Sequence, residues 1–230
     1  MKVSELEYKR ITLEEFSQEI RAIIAQVKDA ASAAEVMAAR ERCNTLYIRL
    51  ETAQALSYMR YSINTADEFY LAEKDYYDEM GPQAQSYLQE YTRAMLESPF
   101  RRELEESGAI IPLVFRSFEV ELKSMSPEII EDMIEENKLV SQYSQLMAAM
   151  EFEFRGEKLP RPMLMKYAKS PDRATRKEAY DVLGNTLKAH SGELDDIFHQ
   201  LVQVRDRMAK KMGYENFVEL GYYRMGRLCY

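Results

Sequence analysis

One local signal recurs three times early in this chain: Thr12 with Glu15, Ser32 with Glu35, and Thr65 with Glu68. A hydroxyl three residues ahead of a Glu is a capping box, in which the hydroxyl accepts a helix's free N–H and the carboxylate reaches back. Apolar residues follow each box every three or four positions, the period of one helix face. Only eight Gly and seven Pro occur in 230 residues, so sharp turns are scarce and elements must be long. Plentiful Ala, Glu, Leu, Met and Arg favour the same outcome.

Residues 1–11 are expected to lie extended along the surface. The first box opens a helix to about Lys28, with Phe16, Ile20, Ile23, Ile24 and Val27 inward. The second opens one to about Ser62, burying Cys43, Leu46, Tyr47, Leu50, Ala53 and Leu56. The third opens a helix that stops near Gly81-Pro82, and another covers about 83–97. Ser98-Pro99 should act as N-cap and first helical residue of a short helix, which Ser107-Gly108 ends. Pro112 begins the next. Ser126-Pro127 begins a long one whose stripe reads Ile129, Ile130, Met133, Ile134, Val140, Tyr143, Leu146, Met147 and Met150, with Asn137 on it. Glu151 to Phe154 then alternates polar and apolar, Arg155-Gly156 can turn, and Glu157 to Pro160 can return, a β-hairpin near 151–159. Pro162 and Ser170-Pro171-Asp172 start two further helices. Ser191 caps a long helix to Met212, with Leu194, Ile197, Phe198, Leu201 and Met208 inward. A short helix rich in Tyr and Arg follows. The expected fold is mainly all-α, a multi-helix layered array with one small β-hairpin.

The formal net charge of −8 disfavours nucleic acid as a partner. No apolar run is long enough for a membrane span. The opening residues lack the apolar core of a signal peptide, so a cytoplasmic location is expected. The two cysteines, Cys43 and Cys229, read as reduced packing residues. Leu228-Cys229-Tyr230 carries no polar tail, so the chain is expected to stop inside a structural element.

Catalytic groups are sparse. No G-x-S-x-G elbow surrounds a Ser and no Gly-rich phosphate loop exists. His190 and His199 are too far apart for the two-His helix of a zinc hydrolase. Asp196 and His199 are the nearest approach to a di-metal motif, and with Asp195 they read more simply as a helix-surface ion pair. The acidic group Asp67, Glu68, Glu73, Asp75, Asp78 and Glu79 reads as a solvated helix face, with paired-carboxylate chemistry as the sharper alternative. The Tyr clusters and the fourteen Met read first as packing. Tyr222, Tyr223 and Tyr230 stand beside Arg224 and Arg227, and phenols with a bidentate guanidinium can hold a peptide backbone and its carboxylate. Tyr222, Arg224, Arg227 and Tyr230 are therefore the candidate substrate-binding residues. No catalytic or metal residue is assigned.

Five stretches in order resemble the oligoendopeptidase F-type branch of the thimet-oligopeptidase-like zinc metallopeptidases. They are KVSELEYKRITLEEF at the start, RYSINTADEFYLAEKDYYDE at 60–79, SPEIIEDMIEENKLVSQYSQLM at 126–147, PDRATRKEAYDVL at 171–183, and QVRDRMAKKMGYENFVELGYYRMGRLCY at 203–230. The resemblance implies a helical clamp around a channel that admits short peptides. It also implies a zinc ion held by an H-E-x-x-H helix and a more distant Glu. That motif does not occur in this sequence. Residues 1–162 thus resemble an N-terminal helical domain forming a channel wall, and 163–230 the start of a catalytic helical domain cut before its zinc motif. The resemblance implies a chain that binds no metal and is inactive without its missing C-terminal catalytic half. The alternative is a non-catalytic helical module that binds peptides or proteins.

Overall fold

The structure, a computed structural model, describes residues 5–228. Among them are ten α-helices and one two-stranded antiparallel sheet, in line with a mainly helical fold carrying one hairpin. The chain forms two compact units, Met1–Ile134 with Asp206–Tyr230, and Glu135–Arg205.

In the first unit, α1 (Leu13–Lys28) begins at the expected box. Thr12 accepts from the Glu15 backbone N–H, and the Glu15 carboxylate accepts from the Thr12 N–H. Phe16, Ile20, Ile23, Ile24 and Val27 are all buried. α2 (Ala33–Ile63) starts at Ser32, whose hydroxyl accepts from the Glu35 N–H. The α2 stripe is as expected except at Tyr47, which is 44% exposed. Leu46 one position earlier is buried, and residues one apart do not share a helix face.

α3 (Glu68–Glu97) differs from expectation at both ends. Its cap is Asp67, not Thr65: the Asp67 carboxylate accepts from the N–H groups of Phe69 and Tyr70. It also does not stop at Gly81-Pro82 but runs through as one helix. An internal Pro costs about 3 kcal/mol. Here Met80, Pro82 and Ala84 are all buried, and that burial offsets the cost. α4 (Arg101–Glu106) starts later than Ser98-Pro99 suggested. Ser98 instead forms a preceding turn, its hydroxyl accepting from Phe100 N–H and its carbonyl from Arg101 N–H. Gly108, at φ 73°, ends the helix, and the Ile110 N–H returns to the Leu104 carbonyl. α5 (Pro112–Ser124) begins at Pro112 as expected.

Helices α1, α2 and α3 pack on one another, and α3 packs on α5. Their core includes Phe16, Ile20, Leu46, Met80, Met95 and Phe115. The segment before α1 is held as well. Ile11 is buried, its N–H donates to the Tyr77 hydroxyl, and the Leu13 N–H donates to Tyr76.

A 3₁₀ turn, Pro127–Ile129, leads into α6 (Ile130–Ala149). The expected stripe of α6 is corrected in its second half. Val140 and Tyr143 are 43% and 45% exposed, whereas Asp132, Glu136 and Leu139 are buried. Hydrophobicity alone misplaced the buried face because its acids are neutralised there by partners distant in sequence.

In the second unit, β1 (Phe152–Phe154) pairs with β2 (Glu157–Leu159) in the register Phe152–Leu159, Glu153–Lys158, Phe154–Glu157. Arg155 and Gly156 both take positive φ, 54° and 85°, as a tight two-residue hairpin turn demands. β1 packs on α7 (Arg161–Tyr167) and α8 (Arg173–Ala189). Phe152, Phe154, Leu164 and Ala179 make the core there.

α9 (Ser191–Lys211) includes Ser191 as its first residue rather than as a cap. Phe198, expected inward, is 68% exposed, while Val204 and Ala209 are fully buried. Within the first unit, Met208 and Ala209 pack with Met125, Ile129 and Leu220. α10 (Phe217–Arg224) packs on α5. Among the described residues no helix is long and apolar enough to cross a membrane.

Candidate functional site

The Tyr/Arg segment is shaped by two glycines. Gly213, at φ 82°, ends α9, and the Tyr214 N–H returns to the Ala209 carbonyl. Asn216 then caps α10 by accepting from the Val218 N–H at 2.9 Å. At the far end Gly226 takes φ 65°, and the Arg227 N–H returns to the Tyr222 carbonyl at 3.2 Å. This six-to-one bond is the Schellman reversal, which needs a left-handed residue such as Gly at its apex. It brings Arg227 back over Tyr222, with the guanidinium 5.2 Å from the ring centre.

Two of the candidate residues are therefore joined by backbone geometry. Arg227 is exposed and Tyr222 is 38% exposed, so the pair can meet a carboxylate or a peptide amide from solvent. Arg224 is placed differently. Its guanidinium lies 5.7 Å from the Phe217 ring and reaches the sulfur of buried Met208 at 3.9 Å. Tyr230 lies outside the described residues, as does Cys229. Tyr223 donates to Glu219 at 3.0 Å. That bond keeps its phenol above the ordinary range.

Sequence reading missed the buried ionic groups. Glu73 has a side chain only 2% exposed and accepts from the Tyr8 hydroxyl and the Arg10 guanidinium. The hydrogen bond from Arg10 holds its carboxyl below the usual range, against the opposing effect of burial. The acidic group on α3 is thus no uniform solvated face, since Asp67 caps the helix, Glu73 is buried and Asp78 pairs with Lys74. Asp132, 5% exposed, accepts from Arg207 Nε and Lys211 Nζ, both at 2.6 Å. In the second unit, Glu136 accepts from Arg205 Nε at 2.7 Å. Spacing within α6 and α9 could have suggested these pairs, but only the tertiary fold joins residues so far apart in sequence.

Among the described residues Glu121 has no cationic partner. Burial raises its carboxyl pKa, partly countered by the Thr92 hydroxyl, which donates at 3.3 Å. Cys43 is buried and free, and burial pushes its thiol up to about 11. A thiol held that high is not an activated nucleophile.

The histidines do not assemble a metal centre. His190 Nδ1 lies 3.2 Å from Glu193, and His199 Nε2 meets the Gln203 amide at 2.9 Å. The expected pairing of His199 with Asp195 or Asp196 does not form. Among the described residues no group of three or more His, Cys, Asp or Glu could hold a metal ion. These residues do not fit a zinc site.

Residues 3–125 match the model of the peptidase M3 N-terminal domain. Three solved structures align with the chain. An oligoendopeptidase F structure at 3.1 Å is 38% identical with a TM-score of 0.94, over 100% of this chain and 40% of its own. A PZ peptidase A with inhibitor gives the same identity, TM-score and coverage. An oligoendopeptidase F from Bacillus anthracis str. Ames is 36% identical with a TM-score of 0.92, over 99% of this chain and 41% of its own. The chain therefore spans about 40% of the length of these structures. A comparison with curated proteins gave no match. Family model and fold together lead to one conclusion: the chain belongs to the peptidase M3 family, and residues 3–125 are its N-terminal domain.

Proposed function

We propose that this chain is the N-terminal part of a zinc metalloendopeptidase that hydrolyses short oligopeptides inside a closed channel. The observation that carries the reading is the 38% identity and TM-score of 0.94 to an oligoendopeptidase F along the whole of this chain. In this reading residues 1–162 build one channel wall and 163–230 open the catalytic domain. The zinc ion and the group that activates water belong to sequence this chain does not contain, so no chemical step is assigned to the residues present.

The role left to this chain is to shape and bind. Tyr222, Arg224, Arg227 and Tyr230 contact peptide, with Arg227 presenting its guanidinium to a carboxylate. A cytoplasmic location is part of the same proposal, and cell fractionation tests it.

In this reading the chain by itself does not lower the barrier to amide hydrolysis. The purified protein should leave a quenched fluorescent oligopeptide uncut. Cleavage sensitive to a chelator would overturn the division of roles. Reading the coding DNA after the Tyr230 codon supplies the positive test. An open frame leading to H-E-x-x-H supports the peptidase, and a stop codon favours a non-catalytic binding module. The exposed Val140, Tyr143, Phe198 and Val202 would suit that second reading, since a binding module needs apolar surface.

A further inference from the structure

Helix α2 is apolar on two opposite faces. One face is buried, with Leu46, Leu50, Ala53 and Tyr61 on it, where α2 packs on α1 and α3. The other is bare. At about 100° per residue, Tyr47, Ile48, Tyr58, Met59 and Ile63 fall within one arc of about 160° centred on Ala55. These five are between 40% and 79% exposed. The four remaining positions on the arc, Glu51, Thr52, Ala55 and Ser62, are exposed as well. A surface helix carries one apolar stripe, whereas a helix apolar all round is covered all round.

The face is large enough to hold a partner. It runs about 24 Å along the axis from Tyr47 to Ile63. Its five large residues expose about 600 Å², the upper end of the largest apolar patch on an ordinary monomer. With the other four positions it offers about 800 Å², which is what each partner of a stable interface buries. Its polar groups are in part already satisfied within the helix. The Ser62 hydroxyl donates to the Tyr58 carbonyl at 2.8 Å, and the Tyr47 hydroxyl is hydrogen-bonded to Glu51. Covering them therefore costs little.

The face also complements itself. A two-fold contact requires one patch to match its own copy, a condition that an unlike partner does not impose. When two α2 helices cross antiparallel at Ala55, each residue shares a layer with the one equally far beyond Ala55 in the second copy. Ile48 lies level with Ser62 of the second copy, and Tyr58 with Thr52, so large residues meet small ones. Ala55 itself sits at the crossing and lets the helices approach closely. The arc carries a single charge, Glu51. Parallel pairing would set the two Glu51 side by side. Antiparallel pairing parts them by about 12 Å along the axis, beyond the screening length of about 10 Å.

We propose that this face of α2 is a dimerisation surface, on which a second copy of the chain docks antiparallel across Ala55. The contact involves neither peptide nor metal, so it stands or falls apart from the peptidase reading.

Sedimentation equilibrium of the full chain at micromolar concentration should give a dimer. The variant Ile48→Lys, Met59→Lys should keep its far-UV circular dichroism and raise the dimer dissociation constant about a hundredfold or more. A control with the same change elsewhere, Leu113→Lys, Val218→Lys, at exposed positions of α5 and α10, should shift it no more than about threefold. Cysteine pairing reads the geometry. In a Cys229→Ser background, Ala55→Cys should form a reducible dimer on mild oxidation. Ser62→Cys should not, because its two copies stand about 21 Å apart in the antiparallel arrangement, too far for a disulfide. A monomeric chain would overturn the proposal; that is the result expected if this face instead seats the part that the longer related structures carry beyond the match. Equal shifts in the two lysine variants, or equal bridging by the two cysteine variants, would overturn it as well.

Discussion

Removing Asp132 and removing its two cationic partners should have unequal costs, because the two ends of this interaction differ in access to water. The Asp132 side chain is 5% exposed, whereas those of Arg207 and Lys211 are 42% and 40% exposed. In Asp132→Ala the cations rehydrate. The protein loses two charge-assisted hydrogen bonds but is relieved of a desolvated carboxylate, for a net loss of about 1–2 kcal/mol. In the double variant Arg207→Met, Lys211→Met the aliphatic stems remain and the buried carboxylate faces no cation, for a loss of about 3–5 kcal/mol. Urea unfolding followed by far-UV circular dichroism at neutral pH measures both, with unchanged m-values as the control for two-state behaviour. The pH dependence gives an independent sign. In the native protein burial raises the Asp132 pKa, but hydrogen bonds from Lys211 and Arg207 outweigh it, and the net shift is downward. Stability from a lowered carboxyl pKa is present above the unfolded value, about 3.9, and is lost as pH falls through the folded value. In the double variant only burial remains, so the folded pKa lies above the unfolded one and the deficit should shrink on acidification. Equal losses in the two variants, a larger loss in Asp132→Ala, or a deficit independent of pH would refute this reasoning.

Glu73→Gln should cost about 2–3 kcal/mol at neutral pH, since it weakens the buried contact with Tyr8 and Arg10. Because the Glu73 pKa is lowered, the native protein's advantage should vanish as pH falls through the folded pKa, in thermal melts recorded across that range. The same variant should be cut faster by trypsin at Lys9 and Arg10. Glu121→Gln should have the opposite sign. Burial raises this carboxyl's pKa, so its charge destabilises the fold above that pKa. The amide should therefore stabilise by about 1 kcal/mol at neutral pH and by nothing below the unfolded carboxylate range. Asp172→Ala removes the cap of α8 and should lower stability by about 1 kcal/mol in urea titration.

The sequence alone determined the elements whose causes are local. Thr12 with Glu15, and Ser32 with Glu35, place two helix starts because a cap forms between neighbours three residues apart. Arg155-Gly156 between alternating residues places the hairpin, because two positive-φ positions in a row suit a tight turn and little else. Five ordered stretches also carried the family, since they are spread along the chain from residue 2 to residue 230. Tertiary structure decided what depends on distant partners. Pro82 stays inside α3 because it is buried there together with Met80 and Ala84. Asp132 and Glu136, rather than Val140 and Tyr143, define the buried face of α6, because Arg205, Arg207 and Lys211 come to meet them. At the candidate site the residue types were legible, but their pairing was not. Gly226 folds Arg227 back onto Tyr222 while Arg224 turns to Phe217 and Met208. Local propensity records what a residue can do with its neighbours in sequence. Which charges are buried, and against what, is fixed only when segments far apart in the chain exclude water between them.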